Sequence, residues 1–186
     1  MINNQHNKLQ YQKMPVQLTP AVSKNDHSQG PSGAAIEIVE YGDFQCPDCG
    51  AAYPVIKQIQ KTYGDQIRFA FRNLPLTDIH TYAKIAALAA EAAGQQNKYW
   101  EMHDLIYEHQ QELSNELIFQ LADEIGLNPD QFENDLHNRA LLQKLKDDTQ
   151  SAEDSGVPGT PTFFVNGKLF DGGAEDLLQV LGESVE

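Results

Sequence analysis

Two cysteines, the only ones in a chain of 186 residues, lie in the stretch Phe44-Gln45-Cys46-Pro47-Asp48-Cys49-Gly50. Residues 35–41 before it are a β-branched apolar run, which is the pattern of a buried strand. Residues 47–63 after it carry apolar side chains at helical spacing. The stretch is therefore predicted to be a strand-to-helix junction, with Cys46 at the start of the helix and Cys49 one turn later on the same face.

This placement predicts different roles for the two thiols. Unpaired backbone N–H groups and the helix dipole stabilise an anion at the helix start, so the pKa of Cys46 should fall below its free value of roughly 8.5. Pro47 suits the first helical position because its missing N–H costs nothing there. Cys46 is therefore predicted to be the nucleophile. Cys49 is predicted to resolve a mixed disulfide on Cys46 by attacking it.

Two other readings of the cysteine pair remain open. The pair could be half of a zinc site, but structural zinc sites use about four ligands. The six histidines of the chain include no close pair at finger-like spacing, so no metal is predicted. The cysteines could also be two inert core residues. The spacing of the pair favours a redox site over both readings.

Length and composition limit the class of protein. A chain of 186 residues can bury one core, with an insertion or a second small one. No stretch approaches ~20 apolar residues, so no membrane span is predicted. The net charge of −14 disfavours nucleic acid as a partner. The first residues lack the apolar core and cleavage pattern of a secretory signal, which favours a bacterial-type cytoplasm. A protein outside the cytoplasm whose signal had been removed would look the same.

The chain divides into three parts by composition. Residues 1–33 are rich in Asn and Gln and are predicted to be an extended arm, with the first ten residues mobile and residues 14–18 able to pair at a sheet edge. Residues 34–79 and 155–186 are predicted to form one α/β domain. Residues 80–154 carry only helical patterns and are predicted to be an inserted helical domain.

The order of elements within these parts is βαβ, helices, then ββα. A second strand is expected at 67–72, which completes a βαβ unit. Four helices are expected in the insertion: residues 82–94, a helix through residues 99–106, a short helix ending before Gly126, and one longer helix capped by Asn128. The dipeptide Asn166-Gly167 between two β-forming runs predicts a hairpin, and a helix from about residue 174 to 181 closes the chain.

At this point the sequence resembles the thioredoxin superfamily, and more narrowly the DsbA-like thiol–disulfide oxidoreductases, from about residue 35 to 181. The motif Cys46-Pro47-Asp48-Cys49 is similar to the family's redox motif, and Thr160-Pro161-Thr162 is similar to its cis-proline loop. Glu40 matches the family's buried acid, Pro54 resembles a helix-kinking proline, and Asn166-Gly167 is similar to its late hairpin. The implied fold is α/β and thioredoxin-like, with an inserted all-helical domain.

The resemblance also implies roles for single residues. A cis bond before Pro161 would turn the Thr160 backbone toward Cys46, where it could pair with an extended substrate segment. Buried Glu40 would have a raised pKa and would accept the proton of Cys49. An exposed Glu40 on an edge strand is the other reading. No cofactor is implied beyond the redox-active disulfide of Cys46 and Cys49, with glutathione as a candidate reductant.

One residue departs from the pattern of the family's strong oxidases. They hold a histidine where this chain has Asp48, and a carboxylate near Cys46 opposes its thiolate. Since a stabilised thiolate makes such a protein oxidising, we expect a weaker oxidant, nearer to the reductases.

The leading functional hypothesis is a thiol–disulfide oxidoreductase that acts on protein or peptide thiols and disulfides. Its electron donor would be a thioredoxin or glutathione system. An alternative is a glutathione-dependent transferase or isomerase of the same fold, although such enzymes usually lack the second cysteine. A further alternative is a non-catalytic protein-binding module, related to thioredoxin-like domains appended to membrane transporters.

Overall fold

The structure is a computed structural model that describes residues 16–183. Within these residues five strands form one mixed sheet in the order β1-β3-β2-β4-β5. The strands are β1 (His27–Gln29), β2 (Ile36–Gly42), β3 (Ile67–Asn73), β4 (Thr162–Val165) and β5 (Lys168–Leu169). The described α-helices are α1 (Pro47–Tyr63), α2 (Ala83–Gly94), α3 (Tyr99–Glu108), α4 (Asn115–Glu124), α5 (Pro129–Leu136), α6 (Arg139–Asp154) and α7 (Ala174–Glu183).

The predicted βαβ unit is confirmed. Strands β2 and β3 run parallel, with Ile38 opposite Phe69, and α1 makes the crossover that parallel strands require. Strand β4 lies antiparallel on the other side of β2, with Phe163 opposite Glu40. Strand β2 is therefore central in the sheet, and its C-terminal end leads directly into the cysteine stretch.

The predicted hairpin is also confirmed. Asn166 and Gly167 both have positive φ, 48° and 76°, as a two-residue hairpin turn requires. The Asn166 side chain accepts a hydrogen bond from the Glu37 backbone N–H at 2.8 Å, which attaches the turn to β2. The β4 and β5 pair is thereby held at one edge of the sheet.

The N-terminal arm takes more part in the sheet than the sequence suggested. His27–Gln29 forms the edge strand β1 against β3, a strand that the sequence analysis did not predict. Its three residues are polar, so they carry no strand pattern, and the pairing is provided by the exposed edge of β3. At the other edge, the Leu18 N–H donates to the Gly167 carbonyl at 2.9 Å, as expected for residues 14–18. Residues 1–15, including the predicted mobile ten, lie outside the described residues.

The prediction of one long helix after Asn128 is wrong. Two helices occupy this segment, α5 and α6, so five α-helices lie between β3 and β4. Asn138 causes the break: it is extended, with φ −67° and ψ 123°, and its side chain accepts a hydrogen bond from the Ala140 N–H as the cap of α6. The predicted cap at Asn128 is present and accepts from the Gln131 N–H at 2.9 Å.

The helices between β3 and β4 share a continuous hydrophobic core with one face of the sheet. Helix α2 lies in the middle of this core, and it contacts α3, α4, α5 and α6. Its alanines are buried, and their small side chains let the neighbouring helices approach closely. This packing fixes the end of α3 and the turn after it beside the first turn of α1. No helix in the described range 16–183 is long and apolar enough to span a bilayer.

Candidate active site

The two cysteines stand at the start of α1, as the sequence predicted. Cys46 is the N-cap, with φ −69° and ψ 122°, and Pro47 occupies the first helical position. Both thiols are free; Cys46 is 6% exposed and Cys49 is fully buried. Cys46 is thus the less buried of the two, which fits a nucleophile followed by a resolving thiol.

The surroundings of Cys46 favour its thiolate. Its pKa falls from the ordinary value to about 5, chiefly because the Cys49 thiol donates a hydrogen bond to it. Partial burial opposes this effect, whereas hydrogen bonding from the Thr160 side chain and from the backbone N–H groups of Cys49 and Asp48 adds to it. These N–H groups belong to the first turn of α1, which has no partners for them within the helix. Cys46 is thus ionised at neutral pH.

Cys49 has the opposite preference. Its pKa is strongly raised, first because its thiol donates the hydrogen bond to Cys46, then because it is buried and lies near the charge of Glu40. The backbone N–H of Asp43, 3.5 Å from the Cys49 sulfur, acts the other way. Cys49 therefore keeps its proton while Cys46 is a thiolate.

Thr160 and Pro161 lie beside Cys46. The Cys46 sulfur is 3.4 Å from the Thr160 carbonyl oxygen, although 114 residues separate them in sequence. The Thr160–Pro161 peptide bond is cis. A groove continues from this loop between the start of α1 and the start of α7, and its lining includes Asp48, Gly173 and Asp176. An extended chain lying in this groove would contact Thr160 and Pro161, the loop that lies against Cys46.

Glu40 lies beneath the cysteines in the central strand. It is 3% exposed, and its Oε1 has no hydrogen-bond partner among the described residues. Burial raises its pKa to about 8, and the charge of the Cys46 thiolate adds to the rise. The exposed position that the sequence left open is wrong, because β2 is flanked by β3 and β4.

Pro47 and Asp48 are both exposed at the start of α1. The backbone N–H of Asp48 helps to lower the pKa of Cys46, as described above. Asp48 also belongs to the lining of the groove described above. The sequence analysis expected stabilisation of the thiolate by unpaired N–H groups at the helix start, and the Asp48 N–H is one of them.

Three polar side chains that the sequence analysis did not select hold the turn before the cysteines. Asp43 is buried and accepts hydrogen bonds from the Leu76 N–H and from His80. The amide of Gln110, in the turn after α3, donates to the carbonyl oxygens of Phe44 and Cys46 at 3.0 and 2.8 Å. Asp43 could have been found as a turn-forming residue at a strand end. Gln110 left no signal in the sequence.

Gly50 leaves room for this Gln110 contact. A Cβ at position 50 would lie 2.2 Å from the Gln110 Oε1, so a larger residue there would push the amide away from the turn. Within residues 16–183, no group of three or more His, Cys, Asp or Glu side chains could hold a metal ion. The arrangement is therefore a pair of thiols with unequal acidity, a buried acid and a groove.

Comparison with known proteins gives a family for this arrangement. The family model described as thioredoxin matches residues 11–181. The thiol-disulfide exchange protein alpha-DsbA2 from Wolbachia pipientis is 28% identical, with a TM-score of 0.76 over 88% of this chain and 87% of that one. BdbD from Bacillus subtilis has the same fold, with 24% identity, a TM-score of 0.76, and coverage of 92% of this chain and 96% of that one.

The sequence relatives carry a different name. The chain is 44% identical over 155 residues to the Na(+)/H(+) antiporter NhaA 1 from Salinispora arenicola, a match that covers 83% of this chain and 24% of that protein. It is 38% identical over 163 residues to NhaA 1 from Mycobacterium sp., with 85% and 27% covered. The chain spans about a quarter of the length of these relatives. The match over most of its length shows that the chain belongs to the thioredoxin family, among its DsbA-like members.

Proposed function

We propose that this chain is a thiol–disulfide oxidoreductase that exchanges disulfides with protein or peptide substrates through Cys46 and Cys49. The observation that carries the proposal is the unequal acidity of the two thiols: the pKa of Cys46 is about 5, whereas that of Cys49 is strongly raised. The thiolate is the nucleophile in disulfide exchange. One cysteine is thus ready to attack while the other holds its proton.

In the reducing direction, the Cys46 thiolate attacks one sulfur of a substrate disulfide. A mixed disulfide forms, and the other substrate sulfur leaves as a thiolate that takes a proton. Cys49 then attacks the Cys46 sulfur, which breaks the mixed disulfide and releases the second substrate sulfur. The substrate has gained two electrons and the pair has become a Cys46–Cys49 disulfide. An external reductant, a thioredoxin or glutathione system, would restore the dithiol.

Glu40 is the proposed acceptor of the Cys49 proton. While Cys46 is a thiolate, its charge helps to keep Glu40 protonated, since it raises the pKa of Glu40. Formation of the mixed disulfide removes that charge, so the pKa of Glu40 falls just when Cys49 must lose its proton. Loss of the thiolate also removes the hydrogen bond that chiefly raises the pKa of Cys49. The lower pKa of Glu40 lets its carboxyl release its own proton to water and become an available acceptor. The lower pKa of Cys49 then favours transfer of the thiol proton to that carboxylate.

Reduction of insulin disulfides tests this proposal most directly. Wild type should reduce insulin with dithiothreitol as electron source, Cys46→Ser should be inactive, and Cys49→Ser should accumulate a mixed disulfide with its substrate. The Cys49→Ser variant also allows cellular substrates to be trapped and identified. Wild type that reduces insulin no faster than Cys46→Ser would contradict the proposal.

A second candidate function is favoured by the antiporter relatives. One protein named as a Na(+)/H(+) antiporter contains a region that is 44% identical to this chain over 155 residues. We propose as the alternative that the fold serves as a regulatory or binding module that acts on a membrane transporter through the groove beside Pro161. Such a module would not need its thiol chemistry. Cys46→Ser would then leave transporter binding unchanged, and a loss of binding in that variant would contradict the module hypothesis.

The direction of exchange and the compartment are part of the same proposal. The carboxylate of Asp48 is expected to make the pair less oxidising than a histidine would, and a cytoplasmic location would favour reduction of substrates. A redox titration of the pair against glutathione buffers measures the first of these expectations.

A further inference from the structure

A buried carboxylate just before the cysteines uses both of its oxygens. The Asp43 Oδ1 accepts a hydrogen bond from the Gln45 N–H at 2.7 Å. Its Oδ2 accepts from the Leu76 N–H at 2.8 Å and from the His80 Nδ1 at 2.9 Å. The Asp43 side chain is fully buried, whereas His80 is 16% exposed. When Asp43 is a carboxylate, which only accepts hydrogen bonds, the proton of this contact lies on the Nδ1 of His80.

These hydrogen bonds join the active-site turn to the segment after β3. The Leu74 N–H also donates to the Gly42 carbonyl at 2.8 Å, and the Tyr82 N–H donates to the Gln45 side chain at 2.7 Å. Residues 42–45 are thus attached at several points to residues 74–82. Asp43 and His80 form the contact between two side chains in this attachment.

The backbone of the same aspartate touches the resolving thiol. The Asp43 N–H lies 3.5 Å from the Cys49 sulfur. Among the interactions that act on Cys49, this N–H favours the thiolate, whereas burial, the Cys46 hydrogen bond and the charge of Glu40 oppose it. The orientation of this one peptide group therefore bears on how easily Cys49 becomes a nucleophile.

We propose that Asp43 and His80 are positioning residues for the second step of exchange, in which Cys49 attacks the mixed disulfide on Cys46. Their hydrogen bond fixes the turn so that the Asp43 N–H stays directed at the Cys49 sulfur while negative charge develops there. This inference rests on the proposed function. Asp43 and His80 act on this second step only, because the Cys46 thiolate of the first step is stabilised by other groups, from α1 and from Thr160.

Single-turnover kinetics with oxidised glutathione separates the two steps. Reduced protein is mixed with oxidised glutathione, quenched with acid at successive times, and analysed by mass spectrometry for the Cys46–glutathione adduct and the Cys46–Cys49 disulfide. His80→Leu removes the donor to Asp43, whereas His80→Asn places an amide N–H near the position of Nδ1. His137→Leu, at an exposed histidine, is the matched control for the chemical change.

We expect His80→Leu to slow decay of the adduct about tenfold, the order expected for weakening one hydrogen bond to a charged sulfur. Formation of the adduct should stay within about twofold of wild type, and His80→Asn should recover most of the lost rate. Decay at the wild-type rate in His80→Leu would overturn the inference, and so would equal slowing of both steps. A wild-type protein that forms neither the adduct nor the Cys46–Cys49 disulfide would instead contradict the proposed function.

Discussion

The strongest prediction concerns the hydrogen bond between the two thiols, which is the leading cause of the low pKa of Cys46. Replacing Cys49 by alanine removes the donor and leaves the first turn of α1 otherwise unchanged. A hydrogen bond to a charged group contributes roughly 1.5–3 kcal/mol. Since one pKa unit corresponds to about 1.4 kcal/mol, the pKa of Cys46 should rise by about one to two units.

Cys49→Ser is the matched variant, because its hydroxyl can still donate to the Cys46 thiolate. Its titration midpoint should stay close to the wild-type value of about 5. Thiolate absorbance near 240 nm, followed in the reduced proteins from about pH 3 to 9, gives the midpoints directly. Circular dichroism at each pH shows that the variants remain folded over the range compared.

An unchanged midpoint in Cys49→Ala would refute the reasoning. It would mean that the backbone N–H groups of Cys49 and Asp48, together with Thr160, suffice to produce the acidity of Cys46. A midpoint that rises equally in the alanine and serine variants would also refute it, since the serine hydroxyl offers a donor in nearly the same place.

Three further predictions concern charge at the site. The folded pKa of Cys46, about 5, lies below its unfolded value, so ionisation of this thiol stabilises the reduced fold. The full contribution is present above roughly pH 8.5, and it is lost as pH falls through 5. The stability gap between reduced wild type and Cys46→Ala, measured by urea unfolding, should therefore widen with rising pH; a constant gap would contradict this. Glu40 changes stability with pH in the opposite direction, because its folded pKa of about 8 lies above its unfolded pKa. The free energy of unfolding therefore falls as pH rises from 4.5 to 8. Glu40→Leu should thus be more stable at pH 7, by up to about 3 kcal/mol, and should match wild type more closely near pH 4; equal stability at pH 7 would count against a buried, strained acid. Asp48→His should make the cysteine pair more oxidising in a glutathione redox titration, by about 30 mV for each unit by which the pKa of Cys46 falls. A variant no more oxidising than wild type would contradict the expectation that the Asp48 carboxylate weakens the oxidant.

Local patterns were sufficient to predict the framework of the site. The apolar run of β2, the helical spacing after Cys46 and the Asn166-Gly167 turn each depend on a few neighbouring residues, and all three are present. The sequence analysis missed two features, one that depends on a distant strand and one that depends on a local cap. Strand β1 forms because β3 offers an edge, and the break before α6 depends on the capping geometry of Asn138.

The electrostatics of the site were less accessible from the sequence, and Glu40 illustrates why. Whether this acid is exposed depends on where β2 lies in the sheet, and that is decided by β4, more than 100 residues later. The residues opposite Glu40 in β3 and β4, Phe71 and Phe163, lie in the core that this sheet face shares with the helices, and burial dominates the pKa of Glu40. A sequence motif around Cys46 cannot contain this information.

The reactive sulfur likewise depends on segments that are far apart. Cys46 meets the Thr160 carbonyl across 114 residues, and its own carbonyl accepts from Gln110 across 64 residues. The first contact comes from the loop before β4, and the second from the turn after α3. Helices α2 to α6 hold that turn in place through a core they share with the sheet. The helical segment between β3 and β4 is therefore part of the active site and not only a cover for it, because it fixes the backbone from which the cysteine pair begins.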